Sequence, residues 1–385
     1  MRHLTDLCDL SASAFATKRL TPLRSPCCSP PSAEPEAAPL RVALLLSGGV
    51  DSSLALNLAC AAGHTVTAFY LQIWFQEDFR NFWDACPWED DLAYARAVCD
   101  QARVQLRVVP LTCHYWDHVV SACVADIAAG RTPNPDVLCN SRIKFGAFME
   151  YLHSEHAGQF DRVASGHYAR LDRWPTHDGT GAALPPILRC CADAVKDQTY
   201  FLAALSPAQL ASAMFPLGAL PKASVRTLAQ AGRLPPAERK DSQGICFLGK
   251  VKFSEFVAQH LGTCPGSFVD ADTGRRVGTH NGVWFYTIGQ RKGIQLSGGP
   301  WYVVSKDPGR NLVYISSAYH AADKRRSTFR VGLFSWLGDA RPAQGRNSGL
   351  RVKVRVAMRH FPPSMALLTR ASLRCAMDQR HTAPA

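Results

Sequence analysis

Residues 47–53 form a loop whose residue types are suited to holding a phosphate. Gly48 and Gly49 lack Cβ atoms, so their backbone can approach an anion closely. The apolar run 40–46 predicts a buried strand before the loop, and 54–62 predicts a helix after it. The N-terminus of that helix would direct N–H groups and a positive dipole at the anion. Further hydroxyl donors come from Ser47, Ser52 and Ser53.

This loop lacks two common phosphate motifs, the Walker A pattern G-x-x-x-x-G-K-[ST] and the dinucleotide pattern G-x-G-x-x-G. Its pattern S-G-G-x-D-S resembles the PP-loop of ATP pyrophosphatases, which release pyrophosphate and adenylate a substrate. Asp51 is then suited to positioning Mg²⁺ or pyrophosphate. The alternative is an ordinary glycine turn, but the order strand, loop, helix favours the ATP site.

A second segment, 132–140, contains an aspartate and a cysteine close to two prolines, which restrict the backbone. Pro133 and Pro135 predict an extended, non-helical loop that displays Asp136 and Cys139. An aspartate there suits general acid–base work, and a cysteine suits nucleophilic attack. The positive charges of Arg142 and Lys144 would favour the thiolate. Taken alone, however, a loop cysteine is more often inert than catalytic.

A third segment, 240–247, places Gly244 just before Cys246 and so permits a tight bend at the thiol. Two cysteines in distinctive loops, together with an ATP loop, suggest sulfur transfer. One thiol would carry sulfur as a persulfide, and the other would resolve it as a disulfide. ATP would activate a carbonyl oxygen, which is otherwise a poor leaving group. This interpretation requires the two thiols to converge beside the nucleotide.

The remaining cysteines exclude several classes of protein. The chain has fourteen cysteines but no C-x-x-C pair, which argues against a zinc ribbon or a thioredoxin motif. A secreted disulfide scaffold is usually short, whereas 385 residues can bury a core of their own. We therefore expect mostly reduced, buried thiols and no set of protein ligands for a metal. A membrane-spanning helix is also excluded, since no run of about 18 apolar residues occurs.

Charge points to a polyanionic partner. Lys and Arg total 43 and Asp and Glu total 31, a formal net charge of +12. Such an excess favours nucleic acid, although a basic organellar protein without that partner is the alternative. Residues 1–39 are rich in Pro, Ser and Ala, and contain Lys18, Arg19 and Arg24 with no acidic residue from 10 to 33. This composition predicts an organellar transit peptide, the alternative being a disordered leader.

Alternating strand and helix patterns over 40–165 predict an α/β fold with a doubly wound parallel sheet. Beyond residue 262, short runs separated by Gly, Asp and Asn predict antiparallel β-structure, with strands at 266–270, 282–287, 301–304 and 312–315. The predicted organisation is a leader (1–39), an ATP-binding catalytic domain (40–212), a helical connection with the second cysteine (213–262), a β-rich central domain (263–322) and a C-terminal β-barrel-like domain that is divergent or truncated (323–385).

Six motifs together resemble the tRNA-specific 2-thiouridylase (MnmA/TRMU) family over about 40–317. They are S-G-G-V-D-S-S, T-P-N-P-D-V-L-C-N, S-G-H-Y-A, K-D-Q-T-Y-F-L, D-S-Q-G-I-C-F and T-I-G-Q-R-K-G-I. The aromatic stretch 69–88 resembles organellar members from plants and algae. The resemblance implies a PP-loop ATP pyrophosphatase (HUP-like) fold and a transferase that 2-thiolates the wobble uridine, U34, by adenylating O2 and transferring persulfide sulfur, releasing AMP and pyrophosphate.

The resemblance also implies roles for individual residues. ATP, with Mg²⁺, would be lined by Leu45, Leu46, Ser47, Gly48, Gly49, Val50, Asp51, Ser52, Leu71 and Gly166. The target base would meet Asn134, Pro135 and Asp136, with Asp136 shuttling protons. Cys246 would bear the persulfide, and Cys139 would form the transient disulfide with it. Other tRNA contacts would be His167, Lys196, Asp197 and Gln198. A flipped base needs a pocket of this kind.

The implied partners are the tRNAs for Lys, Glu and Gln, and a persulfide donor such as a cysteine desulfurase or a relay protein. A chloroplast or mitochondrial location follows if 1–39 is a targeting segment, and a cytoplasmic one if it is not. The resemblance also implies that Lys353 and Arg355 contact tRNA, and the likeness ends after Pro362. A barrel without its last strand would expose a sheet edge.

Three alternatives stay open. Cys86, Cys139 and Cys246 are a candidate set of ligands for an iron–sulfur cluster, as in some related thiolases. A PP-loop synthetase of the argininosuccinate or GMP type would need no cysteine pair. A non-catalytic tRNA-binding protein would keep the ATP fold only as a scaffold, and would bind tRNA without consuming ATP.

Overall fold

The computed structural model describes residues 38–73, 87–173, 186–241 and 253–319. The described residues form two compact units, one from 38–115 and 139–241, the other from 116–138 and 253–319. The predicted signals at Cys86, Cys246, Lys353 and Arg355, the leader, and the C-terminal domain lie outside the described residues.

The described strands, in chain order, are β1 (Arg41–Leu45), β2 (Thr65–Gln72), β3 (Leu106–Pro110), β4 (Arg162–Ser165), β5 (Ala169–Asp172), β6 (Ile187–Cys190), β7 (Ala213–Met214), β8 (Gly266–Asp270), β9 (Arg276–His280), β10 (Tyr302–Asp307) and β11 (Leu312–Ser316).

The described α-helices are α1 (Val50–Ala61), α2 (Pro87–Ala102), α3 (Thr112–Tyr115), α4 (Ser121–Ala128), α5 (Pro135–Leu138), α6 (Phe148–Glu155), α7 (Pro207–Ser212), α8 (Lys222–Ala231) and α9 (Phe253–Leu261). Two π-helical segments, Trp116–Val120 and Cys139–Ala147, and two 3₁₀ segments, Thr199–Leu202 and Val283–Phe285, complete the helical structure of this part of the chain.

A five-stranded parallel sheet in the order β3-β2-β1-β4-β7 forms the centre of the first unit. Val42, Ala43 and Leu44 of its middle strand are fully buried, because helices cover both faces. The core on one face combines β1 with α1, α2 and α8. On the other face Phe69 of β2 packs edge-on against Phe148 of α6, with ring centroids 5.1 Å apart. The predicted α/β fold with a parallel sheet is confirmed.

The second unit contains a four-stranded sheet in the order β10-β11-β8-β9. Three of the predicted strands are present as β8, β10 and β11, but β11 pairs with β8 in parallel rather than antiparallel. The predicted strand at 282–287 is wrong, because Val283–Phe285 is a 3₁₀ turn whose Val283 side chain fills the small core beside Phe268 and Val303. Packing of that valine against the sheet outweighs its strand propensity.

The predicted extended loop at 132–140 is also wrong. Pro135 begins α5, and the chain continues directly into the π-helical segment Cys139–Ala147. Asn134 supplies the reason, since its Oδ1 accepts from the backbone N–H of Asp136 at 3.2 Å and of Val137 at 3.4 Å. Asparagine as the N-cap and proline as the first residue is a helix-starting arrangement, because the proline lacks only an N–H that would go unused.

In the part of the chain that the structure describes, we find no helix both long and apolar enough to cross a bilayer.

Candidate functional site

The segment 47–53 comprises the turn after β1 and the first turn of α1, which begins at Val50, four residues before the predicted start at 54. It lies at the carboxyl end of the parallel sheet, where open α/β sheets bind their ligands. Gly48 has a φ of +72°, and a Cβ there would lie 2.2 Å from the backbone oxygen of Asp91. Both the backbone conformation and the space therefore require glycine. Arg239 supports the same turn, because it pairs with the Asp91 carboxylate and donates from Nη1 to the carbonyl of Gly48 at 3.2 Å.

The serine hydroxyls of the loop mainly hold its own conformation. Ser52 Oγ accepts from the backbone N–H of Ser47 at 3.1 Å and lies 3.1 Å from the carbonyl of Gly49, to which it donates. Ser53 Oγ donates to the same carbonyl at 2.8 Å. No side chain of the described residues caps α1, so the first turn keeps N–H groups directed at the position of an anion.

A second close approach brings the segment after β4 against the start of α1. A Cβ on Gly166 would lie 2.7 Å from the backbone nitrogen of Ser52. Leu71 stands near the end of β2, in register with Val109 of β3, and is half-buried. Leu45 and Leu46 are buried in the core, so their contribution to a nucleotide site would come from the backbone.

Asp51, in the first turn of α1, accepts two contacts on the same oxygen. The Tyr168 hydroxyl donates to Oδ1 at 2.7 Å, and the Lys222 ammonium lies 2.6 Å from it. Burial of Tyr168, together with the charge of Asp51, raises the pKa of the phenol far above its ordinary value. Tyr168 therefore stays protonated and remains a hydrogen-bond donor to the carboxylate.

Asp241 lies beside this pair and collects three cations. Its Oδ1 is 2.9 Å from Lys222 Nζ and 2.6 Å from Arg226 Nη2, and its Oδ2 is 2.9 Å from Lys196 Nζ. Burial alone would raise the pKa of the Asp241 carboxyl, but hydrogen bonds from Lys222 and Lys196 hold it well below its ordinary value. The sequence analysis missed Tyr168, Lys222 and Arg226. A signal for the last two was present, since they are four residues apart on one helix face.

His167 lies next to the close approach at Gly166. Its Nδ1 is 2.6 Å from Ser165 Oγ, and its ring lies 6.0 Å from that of Phe215 and 6.4 Å from that of Phe145. Burial, with a smaller effect from the charge of Lys144, places the pKa of His167 well below its ordinary value. The imidazole is therefore neutral at physiological pH, which suits a hydrogen bond or a ring stack better than an ion pair with a phosphate.

The side chains of 196–198 form most of their ion pairs and hydrogen bonds with other residues of the first unit. Lys196 pairs with Asp241 and keeps a side chain 42% exposed. Asp197 is buried and accepts from the backbone N–H of Cys191 at 3.1 Å and from the Thr199 hydroxyl at 2.7 Å. Gln198 Oε1 accepts from the backbone N–H of Tyr168 at 3.0 Å. Of these three side chains, Lys196 is best placed to meet a partner.

Cys139 begins the π-helical segment and is only 2% exposed. The expectation that a loop displays this thiol is therefore wrong, because the residue lies in a helical segment and is buried. Gln209 of α7 stabilises the same segment, since its Nε2 donates to the carbonyl of Ser141 at 2.9 Å.

The second unit contains Asn134, Pro135 and Asp136, the residues expected at the target base. Asn134 is the capping residue of α5, and Pro135 is its buried first residue. Asp136 belongs to the first turn of that helix.

Among the described residues no group of three His, Cys, Asp or Glu side chains could hold a metal ion, and no disulfide joins two of their cysteines. Only Cys139 of the three candidate cluster ligands is described, so these residues do not establish a fit for an iron–sulfur cluster. Asp51 fits Mg²⁺ as a single carboxylate ligand, which is how this ion is commonly held when phosphates complete its shell.

Comparison with known proteins identifies the family. The chain is 41% identical to tRNA-specific 2-thiouridylase MnmA 1 of Bacteroides thetaiotaomicron over 323 residues, which cover 84% of this chain and 86% of that relative. The chain belongs to the tRNA-specific 2-thiouridylase family. A family member from Porphyromonas gingivalis is 42% identical, with 83% of this chain and 85% of the relative covered.

Two domain-family models match consecutive parts of this 2-thiouridylase-family chain. The tRNA methyl transferase HUP domain matches residues 40–250, and the tRNA methyl transferase PRC-barrel domain matches 254–317. Among solved structures, the NMN synthetase of Francisella tularensis is 18% identical with a TM-score of 0.33, covering 58% of this chain and 76% of that one. That likeness is too low to support an inference about activity.

Proposed function

We propose that the protein is an ATP-dependent sulfurtransferase that converts the wobble uridine, U34, of tRNA into 2-thiouridine. The observation that carries the proposal is the glycine loop at the end of β1, whose backbone approaches Asp91 and whose Asp51 is oriented by Tyr168 and Lys222. Membership of the 2-thiouridylase family supports a role for that loop in the adenylation of tRNA. The formal charge of +12 is suited to a polyanionic substrate.

The proposed reaction balances in three steps. Uracil O2 attacks the α-phosphorus of ATP, and pyrophosphate leaves. The terminal sulfur of a persulfide on Cys246 attacks C2, the C2–O bond breaks and AMP leaves. The Cys139 thiolate then attacks the Cys246 sulfur, which leaves the transferred sulfur on C2 and joins the two cysteines in a disulfide that an external thiol reduces.

The chain's own residues have defined parts in this scheme. Gly48 and Gly166 would allow the backbone to approach the nucleotide, and Asp51 would hold Mg²⁺, which would neutralise phosphate charge when bound. Asp136 would move the proton at the base. We also propose His167, with its neutral ring, and Lys196, with its exposed ammonium, as contacts to tRNA. Asp197 and Gln198 would act by holding that segment in place, since their oxygens accept internal hydrogen bonds.

Methyl transfer is a second candidate, because both matching domain models carry that description. A methyl transferase would need neither pyrophosphate release nor paired thiols. The loop 47–53 and the family membership favour thiolation. Mass analysis of the nucleosides separates the two, since one replaces oxygen by sulfur and the other adds a methyl group.

The proposed reaction also requires a source of persulfide sulfur and a compartment in which the protein acts. We propose a persulfide donor, either a cysteine desulfurase or a relay protein, because the scheme consumes one persulfide per turnover. The basic, acid-free composition of 10–33 supports an organellar destination. The aromatic stretch 69–88, which resembles organellar members from plants and algae, supports the plant or algal type. Fusion of residues 1–39 to a fluorescent reporter tests the destination, and import into neither organelle would refute it.

The decisive assay uses the full chain with ATP, Mg²⁺, a persulfide donor and tRNA for Lys, Glu or Gln. We expect tRNA-dependent pyrophosphate release and 2-thiouridine at position 34. Asp51→Ala should abolish both while leaving tRNA binding within about twofold, because the carboxylate lies in the nucleotide loop and is not one of the proposed tRNA contacts. Asp100→Ala, which removes an exposed carboxylate from α2, is the matched control and should be fully active.

Two results would refute the proposal in different ways. Binding of tRNA without any pyrophosphate release would show a scaffold protein. Full turnover by Cys139→Ser and Cys246→Ser variants would show a synthetase without thiol chemistry.

A further inference from the structure

The charged cluster formed by Asp241, Lys196, Lys222 and Arg226 lies beside the ATP loop, and the sequence motifs assign no role to Lys222 or Arg226. We infer that Lys222 binds the β- and γ-phosphates of ATP and that Asp241 is the positioning residue that holds it there. This inference rests on the proposed function, because it adds a residue to the same nucleotide site.

Lys222 is placed at the loop by direct contact. Its Nζ lies 2.6 Å from Asp51 Oδ1 and 2.9 Å from Asp241 Oδ1, and its side chain is 12% exposed. An ammonium has three N–H donors, and the described residues provide acceptors for two of them. The third donor suits a phosphate oxygen bound at the start of α1, one residue from Asp51 along the chain.

The backbone of Lys222 is fixed as firmly as its side chain. Lys222 is the first residue of α8, and its N–H donates to Asp193 Oδ2 at 3.0 Å. Val225 and Ala229 of the same helix are fully buried, and α8 packs against α1, the helix that begins at the loop. The ammonium therefore has a defined position relative to the loop before any ligand arrives, which lowers the entropic cost of binding.

Asp241 provides Lys222 with a second carboxylate, so the ammonium is shared between Asp241 and Asp51. Arg226 contacts the same Asp241 oxygen as Lys222, and Lys196 contacts the other oxygen, so the pKa of this carboxyl lies well below its ordinary value and the group is ionised at neutral pH. The tyrosine ring of Tyr168 adds a further attraction, with Lys222 Nζ 5.8 Å from its centroid. The arrangement holds a desolvated cation within reach of two carboxylates and an anion site, instead of burying it in one ion pair.

A purely structural ion pair is the competing explanation. In that case, replacing Lys222 would lower the stability of the protein and would weaken the binding of phosphate-bearing ligands no more than the binding of adenosine. A phosphate contact would instead weaken the binding of phosphate-bearing ligands selectively, and arginine would replace lysine in part because it keeps the charge.

Calorimetric titration of the full-length protein separates these explanations. The ligands are ATP with Mg²⁺, inorganic pyrophosphate alone and adenosine as the phosphate-free probe. We expect Lys222→Met to weaken pyrophosphate and ATP binding by roughly tenfold or more, as for the loss of a charge-assisted hydrogen bond, with adenosine binding within twofold. Lys222→Arg should recover most of the loss, and Asp241→Asn should show a smaller version of it.

Arg96→Met is the matched control, because it removes one exposed positive charge from the same unit and should leave all three affinities unchanged. Pyrophosphate binding by Lys222→Met equal to that of the unaltered protein would overturn the inference alone. Equal weakening of adenosine and pyrophosphate would also overturn it, in favour of a structural ion pair. Failure of the unaltered protein to bind ATP at all would overturn both this inference and the proposed function.

Discussion

The ATP loop and the segment that carries Cys139 were both identified from their sequences, but different forces determine their structures. The loop is defined by what its backbone must do: Gly48 has a positive φ and lies against Asp91. The cysteine segment is helical, and its thiol is 2% exposed. A backbone conformation that only glycine adopts easily can be recognised from the residue type. The burial of a side chain, by contrast, depends on residues that are distant in sequence.

The largest expected effect is at the glycine loop. Gly48→Ala should abolish ATP-dependent pyrophosphate release, because the new methyl group would overlap the backbone of Asp91 at 2.2 Å and the φ of +72° would be strained as well. The conformational strain alone costs on the order of 1–3 kcal/mol. Pyrophosphate release and thermal unfolding measure the two effects.

Gly63→Ala is the matched control, since Gly63 has a φ of +81° and no atom lies within 4 Å of the position that an added methyl group would take. It should lower stability by about 1–2 kcal/mol and leave ATP turnover intact. If Gly63→Ala lost turnover to the same extent, strain rather than the close approach would explain the loop.

The second largest effect is expected at Cys139, where a substitution should remove the 2-thiouridine product and lower stability less than Gly48→Ala does. Cys139→Ser should eliminate 2-thiouridine while pyrophosphate release persists, because adenylation precedes the thiol steps. Placing a hydroxyl in a buried site should also cost roughly 1–3 kcal/mol. Nucleoside analysis and pyrophosphate release, measured on the same samples, separate product loss from unfolding.

Two other cysteines provide controls. Cys99→Ser should carry a similar stability cost, since that thiol is also buried, but should still make 2-thiouridine. Cys113→Ser, at an exposed position, should change neither quantity. Loss of product in Cys99→Ser would show that instability, not chemistry, limits these variants.

The smallest expected effect concerns the cap of α5. Asn134→Ala should lower stability by about 0.5–2 kcal/mol, because the backbone N–H groups of Asp136 and Val137 lose their acceptor. Asn134→Ser should restore the cap. If Asn134 also meets the target base, both variants should bind tRNA a few-fold more weakly. Equal tRNA affinity for all three proteins, with only the alanine variant destabilised, would limit Asn134 to capping.

Prediction from the sequence succeeded where the local residue pattern and the packing of the folded protein favour the same secondary structure. The apolar run before Gly48 became β1 in the middle of the parallel sheet, and the patterns predicted at 266–270, 301–304 and 312–315 became strands. It failed at 282–287, where Val283 fills a core position in a 3₁₀ turn, and at 132–140, where Asn134 and Pro135 together start a helix. The first error came from tertiary packing of Val283, which the local sequence does not show, and the second from considering the prolines without the asparagine that caps the helix.

The sequence by itself determined the chemistry available: a glycine loop for phosphate, two separate cysteines in distinctive settings, and a positive charge suited to RNA. These follow from residue type, which needs no fold to be recognised. Only the tertiary structure decided that Tyr168 and Lys222 meet Asp51, that three cations share Asp241, and that the Cys139 thiol is covered. Residues more than a hundred positions apart contact one another only when the helices pack on the sheet, and burial is a property of that packing.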